Sequence, residues 1–113
     1  MKSKILALSK NEEFKKLLQQ KKVSNKYVTI YFGYLNNKNK NRFNISFVTK
    51  KKIGNAVKRN KIKRRLRQIF DDAAKKSSIK FEKSYLVISH MAMLNNDFKN
   101  IKETIFQDLN RII

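Results

Sequence analysis

The sequence predicts an α+β protein, a two-layer sandwich with elements in the order α-β-β-α-β-α. Three observations carry this. Residues 27–35 and 42–49 are rich in β-branched and aromatic side chains, the composition of strands. Residues 56–75 and the stretch after Asn95 repeat apolar side chains at intervals of 3 and 4, the period of a buried helix face. No proline, linker or internal repeat interrupts the 113 residues, so residues 1–113 read as one domain.

Each element has a local cause. Ser9 with Glu12 three residues later forms a capping box. The helix it opens carries Phe14, Leu17 and Leu18 at i, i+3, i+4 and fades near Lys21. In the first strand, YVTIYFGYL, Val28, Ile30 and Phe32 share one face while Tyr27, Thr29 and Tyr31 share the other. The aliphatic and Phe face suits a core, which leaves the tyrosines toward a groove. The polar loop Asn36–Asn41 returns the chain into RFNISFVT, and these two strands read as an antiparallel hairpin. Phe43, Ile45 and Phe47 alternate there with Asn44, Ser46 and Val48, as in a sheet with one wet face.

Gly54 punctuates the entry to the central helix, 56–75. Ile62, Leu66, Ile69, Phe70 and Ala73 form its core stripe. Residues 84–90, SYLVISH, are a short apolar strand. Asn95–Asp97 can cap a last helix, on which Phe98, Ile101, Ile105, Leu109 and Ile112 recur to the end.

The net charge of +20 is concentrated. Residues 14–70 hold 18 Lys or Arg and no acid, while the flanks 1–13 and 71–113 each sum to +1. Such self-repulsion destabilises a compact chain unless a polyanion relieves it, which points to a nucleic-acid partner. The stretch KKKIGNAVKRNKIKRRLRQIF, residues 50–70, is the densest part, with ten Lys or Arg and four of the six arginines. At about 100° per residue, Asn60, Lys63, Arg64 and Arg67 form a second helix stripe at i, i+3, i+4, i+7, with Arg59 at its edge. Guanidinium forks bind phosphate oxygens bidentately, and Asn adds a compact donor and acceptor. Lys61 and Arg65 point away from this face. An anionic membrane is a poorer match, because the basic residues occupy too much of the helix circumference for a clean amphipathic face.

This string resembles the signature of the bacterial ribonuclease P protein subunit, whose Arg-Asn-x-x-Lys-Arg-x-x-Arg core falls on Arg59, Asn60, Lys63, Arg64 and Arg67. The two lysines before Ile-Gly match as Lys51 and Lys52. Chain length, element order and an Asn-Glu-x-Phe at Asn11–Phe14 also fit, so the resemblance covers nearly the whole chain. It implies a ribosomal-protein-S5-domain-2-like fold with a left-handed β-α-β crossover, against the general right-handed rule. It also implies that the basic helix docks on the catalytic RNA of ribonuclease P. Phe14, Leu18 and Tyr31 would then line a cleft for the 5′ leader of precursor tRNA. Tyr31 is placed by matching Asn-Lys-Tyr-Val-Thr-Ile-Tyr, residues 25–31, to the family's first strand. Phe14 and Leu18 also fit a second description, as the plain core face of the first helix.

The chain departs from the family's pattern in three places, one of them a small gap before Asn25 in the match to the first strand. Position 18 is Leu where an aromatic is common. Asn44 and Ser46 stand where Arg-x-Gly is frequent, leaving Arg42 as the nearest arginine.

Composition offers no catalytic apparatus for RNA cleavage. His90, the only histidine, ends an apolar strand and reads as a structural residue. Asp71 and Asp72 are adjacent, so they diverge by about 100° on a helix and make a poor two-metal site. By the resemblance, the RNA subunit supplies the catalytic groups and holds Mg²⁺, and one protein chain joins one RNA in a holoenzyme that removes the tRNA 5′ leader. The absence of cysteine fits a reducing cytosol. No apolar run approaches 18 residues, and Met1–Lys10 lacks a signal-peptide core; a cytoplasmic protein is expected. The rival reading is a ribosomal or other structural RNA-binding protein with no substrate role. A third is a DNA-coating protein without preference for structured RNA.

Overall fold

The computed structural model describes residues 5–6, 11–35, 43–76 and 83–112. In chain order the elements are β1 (Ile5–Leu6), α1 (Asn11–Leu18), β2 (Lys21–Ser24), β3 (Val28–Gly33), β4 (Phe43–Val48), α2 (Ala56–Lys75), β5 (Ser84–Ser89) and α3 (Phe98–Ile112). Short 3-10 turns at Lys51–Ile53 and Met91–Met93 lead into the two long helices. The strands form one sheet in the order β1-β4-β5-β3-β2.

The α+β architecture and the long elements agree with the sequence. The central helix spans 56–75 as read, and Asn55 caps it by accepting a hydrogen bond from the Lys58 backbone N–H at 3.0 Å. Its stripe of Ile62, Leu66, Ile69, Phe70 and Ala73 is buried throughout. Against it pack Ile101, Ile105 and Leu109 of α3 and Val28, Ile30, Phe32, Ile45, Tyr85 and Val87 of the sheet. Phe47 meets Phe70 at a ring separation of 5.6 Å. Arg65 donates to the Asn96 carbonyl at 3.3 Å, so it ties α2 to the entry of α3.

Three expectations are corrected. The segments 27–35 and 42–49 do not form a hairpin with each other: β5 lies between them, antiparallel to β3 and parallel to β4. The reason is burial. SYLVIS is apolar on both faces, so it takes the centre of the sheet, where both faces are covered. The unit β4-α2-β5 is thus a parallel crossover with α2 as the connection. Second, the polar face of β4 is not wet: Asn44 and Ser46 are buried, on the side where Val48 packs around Leu17 and Leu86. Third, the first helix stops at Leu18, short of Lys21, and Lys21–Ser24 form an edge strand that the sequence reading did not include. The strand β1 was also not foreseen. Ser9 and the loop 36–41 lie outside the described residues.

The second sheet face is covered by α1. Leu17 is fully buried against Leu86, with Phe14, Tyr31, Leu35, Val48 and Ile88 packed around them. This small cluster and the main core lie on opposite faces of the sheet.

Candidate nucleic-acid interface

Two surfaces carry the residues singled out by sequence. The first is the outer side of α2. Asn60, Lys63, Arg64 and Arg67 are exposed and line one open groove of about 600 Å³, together with Phe47 of β4 and Val57. The spacing i, i+3, i+4, i+7 thus produces a common direction, as helix geometry requires. Lys51 and Lys52 are exposed on the 3-10 turn just before the helix. Arg59 is partly buried, and its Nε has no hydrogen-bond partner among the described residues. Among the described residues no carboxylate lines the groove to compete with phosphate for these cations.

The sequence did not single out Val57, which is 75% exposed on the same helix face. Its signal was available: it sits three residues before Asn60, on the polar stripe. Val57 and Phe47 give the groove an apolar floor on which a ribose or base can rest between phosphate contacts.

The second surface lies where α1 crosses the sheet. Tyr31 is half-buried beside Phe14, and both belong to the small cluster around Leu17. Leu18 is 46% exposed while its neighbour Leu17 is 0% exposed. The two descriptions of α1 therefore divide by residue, with Leu17 as the core anchor and Leu18 outside it. Lys22 Nζ lies 5.8 Å from the centroid of the Tyr31 ring. Sequence reasoning missed this cation because β2, with only Val23 as an apolar residue, gave no strand signal; the register Lys22↔Tyr31 places both on one face. Tyr27, expected in the same groove, is instead buried in the main core. It stands before β3 begins, in a turn whose backbone N–H groups at Tyr27 and Val28 both donate to Asn25 Oδ1. Strand alternation does not extend to it.

His90 serves the structure as read. Its Nε2 lies 2.8 Å from Thr29 Oγ1, which in turn lies 2.7 Å from Ser24 Oγ. Its backbone N–H donates to the Tyr27 carbonyl at 2.8 Å. Among the described residues no group of three or more His, Cys, Asp or Glu could hold a metal ion, and no helix is long and apolar enough to cross a membrane. Arg42 and the side chain of Asn11 lie outside what is described.

Comparison with known proteins agrees with this geometry. A family model described as Ribonuclease P matches residues 3–112. The ribonuclease P protein component of Listeria monocytogenes serotype 4b is 36% identical over 103 residues, spanning 90% of this chain and 83% of that protein. That of Bacillus pumilus is 36% identical over 99 residues, spanning 87% and 80%. Among solved structures, the Thermotoga maritima RNase P protein superimposes with a TM-score of 0.78 at 26% identity, over 96% of this chain and 98% of that one. A Staphylococcus aureus RNase P protein gives 0.76 at 27% identity, over 94% and 93%. With sequence and backbone matched along almost their whole lengths, this chain belongs to the ribonuclease P protein family.

Proposed function

We propose that this chain acts as the protein subunit of ribonuclease P, holding the catalytic RNA with the α2 groove and the 5′ leader of precursor tRNA with the α1–sheet surface. Membership in the family carries the first half: the holoenzyme is an endoribonuclease that matures tRNA 5′ ends, with catalysis in its RNA. The α2 groove supports the second half. It combines Asn60, Lys63, Arg64 and Arg67 with an apolar floor and, among the described residues, no acid, the chemistry of a surface that follows a sugar–phosphate chain.

In this reading Lys51, Lys52, Arg59, Asn60, Lys63, Arg64 and Arg67 contact the catalytic RNA. Arg59 stands at the edge of this set and is only partly buried, so the exposed part of its guanidinium can reach a phosphate. Phe14, Leu18 and Tyr31 receive the leader. Tyr31 offers a ring for a base, and Lys22 beside it offers a charge for the adjoining phosphate. The protein thereby adds substrate affinity and screens repulsion between two RNAs. Mg²⁺, held by the RNA, supplies metal-assisted hydrolysis of the phosphodiester. The setting is the cytoplasm. A ribosomal role is not favoured, since the matched relatives and structures are ribonuclease P proteins.

Reconstitution tests the reading. Added to a bacterial ribonuclease P RNA at low Mg²⁺, the protein should raise precursor cleavage well above that of the RNA alone. Unchanged cleavage overturns it.

A further inference from the structure

Beyond both surfaces, we infer a third RNA contact: a groove at the β2 edge that binds a single-stranded segment, with Tyr34 stacking on a base and Lys21 and Arg111 meeting its phosphates. The groove has a volume of about 900 Å³ and is lined by Gln19, Gln20, Lys21, Phe32, Gly33, Tyr34, Lys83 and Arg111. It lies at the Gly33–Ser84 end of the sheet, beside the last turn of α3. The α2 groove lies over β4, and two strands, β5 and β3, lie between β4 and β2 in the sheet. The two grooves are therefore separate surfaces of the sheet.

Chemistry selects the ligand. Cations arrive from three segments that are distant in sequence, and among the described residues no carboxylate lines the groove. Arg111 is exposed, and its ion pair with Asp108 is long, at 3.8 Å. Tyr34 is 63% exposed, so its ring is open to a stacking partner. Cations around an open aromatic ring are the arrangement that takes unpaired nucleotides, since every base has a π-face.

The aromatic is also held in place. The Tyr34 N–H donates to Gln20 Oε1 at 3.2 Å, and Gln20 Nε2 donates to the Tyr34 carbonyl at 3.3 Å. This paired bond requires the glycine beside it: a Cβ at Gly33 would collide with the Gln20 amide. The backbone that presents the ring is thus fixed before any ligand arrives, which lowers the ordering cost of binding. The inference does not depend on whether the segment belongs to precursor tRNA or to another RNA.

Gly33 and Gly54 are the only glycines of the chain, and they report on different surfaces. Gly33 lines this groove, and Gly54 follows Lys51–Ile53. In an amide nitrogen–proton correlation spectrum of the full chain, titration with a short oligouridylate should move the Gly33 signal. Tyr34→Ala should abolish that shift and weaken this binding phase about tenfold, while Tyr34→Phe preserves it. Lys21→Ala with Arg111→Ala should weaken the same phase more than Lys76→Ala with Lys99→Ala, an equal charge loss elsewhere. A silent Gly33, an unaltered shift in Tyr34→Ala, equal effects of the two double variants, or the same shift with inorganic phosphate alone would each overturn the inference. Movement of Gly54 in the same titrations reports the signature region, so failure here leaves the α2 reading standing.

Discussion

The Asn25 side-chain amide donates to Asp108 Oδ2 at 2.7 Å, joining the β2–β3 turn to the last helix across 83 residues. The other end of the same amide, Oδ1, accepts from the backbone N–H groups of Tyr27 and Val28. One side chain therefore shapes the turn and docks α3 on the sheet edge. Asp108 is buried, so removing its donor leaves a carboxylate short of a partner. Asn25→Ala should destabilise the fold by about 1–3 kcal/mol, read as a lower urea midpoint. An unchanged midpoint would show that the turn holds without it.

The adjacent leucines of α1 should behave oppositely. Leu17 fills the small cluster under α1, and Leu17→Ala should cost about 2–5 kcal/mol of stability. Leu18 stands largely outside, and Leu18→Ala should leave thermal unfolding near that of the parent. Its effect should appear in precursor tRNA affinity of the holoenzyme instead. A large stability loss for Leu18→Ala would return it to the core and remove it from the leader surface.

On α2, Arg64→Ala or Arg67→Ala should weaken assembly with the catalytic RNA by about 1–3 kcal/mol. Each should also reduce the slope of log affinity against log salt by about one. An unaltered slope would take that arginine out of the phosphate contact.

Tyr31→Ala should weaken precursor tRNA more than mature tRNA in the assembled enzyme, by about 1–3 kcal/mol if one base stacks there. Equal losses for both RNAs would exclude a leader contact at this ring.

Asp72 gives a pH signature. Its hydrogen bond with Lys102, at 2.7 Å, holds its carboxyl below the usual carboxylate range, helped by the charges of Lys102, Lys75 and Lys76. A lowered native pKa stabilises the fold above the unfolded value, and that gain is lost as pH falls through the native one. The pair is partly exposed, so Asp72→Asn should cost under about 1 kcal/mol at neutral pH. In urea titrations the difference between the two proteins should fade in acid. A constant gap across pH would assign the loss to packing.

Legibility followed the source of each signal. The long helices were readable because two faces had to coexist on one cylinder. Ile62–Ala73 bury one, and Asn60–Arg67 wet the other, so periodicity alone separates them. Strand β2 was unreadable: KKVS carries one apolar residue, and its place is set by pairing with Thr29–Phe32 of β3. Strand order was misread for a related reason. A polar loop between two strands argues for a hairpin, and only the two-sided burial of Tyr85, Leu86 and Val87 in β5 tells against it. At the site, residues on one helix were recoverable, whereas Lys22 beside Tyr31 and Arg111 beside Lys21 depend on tertiary structure.

The central position of β5 has a consequence for synthesis. Strands β3 and β4 emerge from the ribosome well before the only strand that bridges them, and before then β4 has just the two-residue pairing with β1. The nascent chain can form the β2–β3 ribbon and local helix, but its sheet closes only after Ser89 is made. Until then the whole acid-free segment is translated and tethered, exposed to cellular polyanions ahead of its own folding.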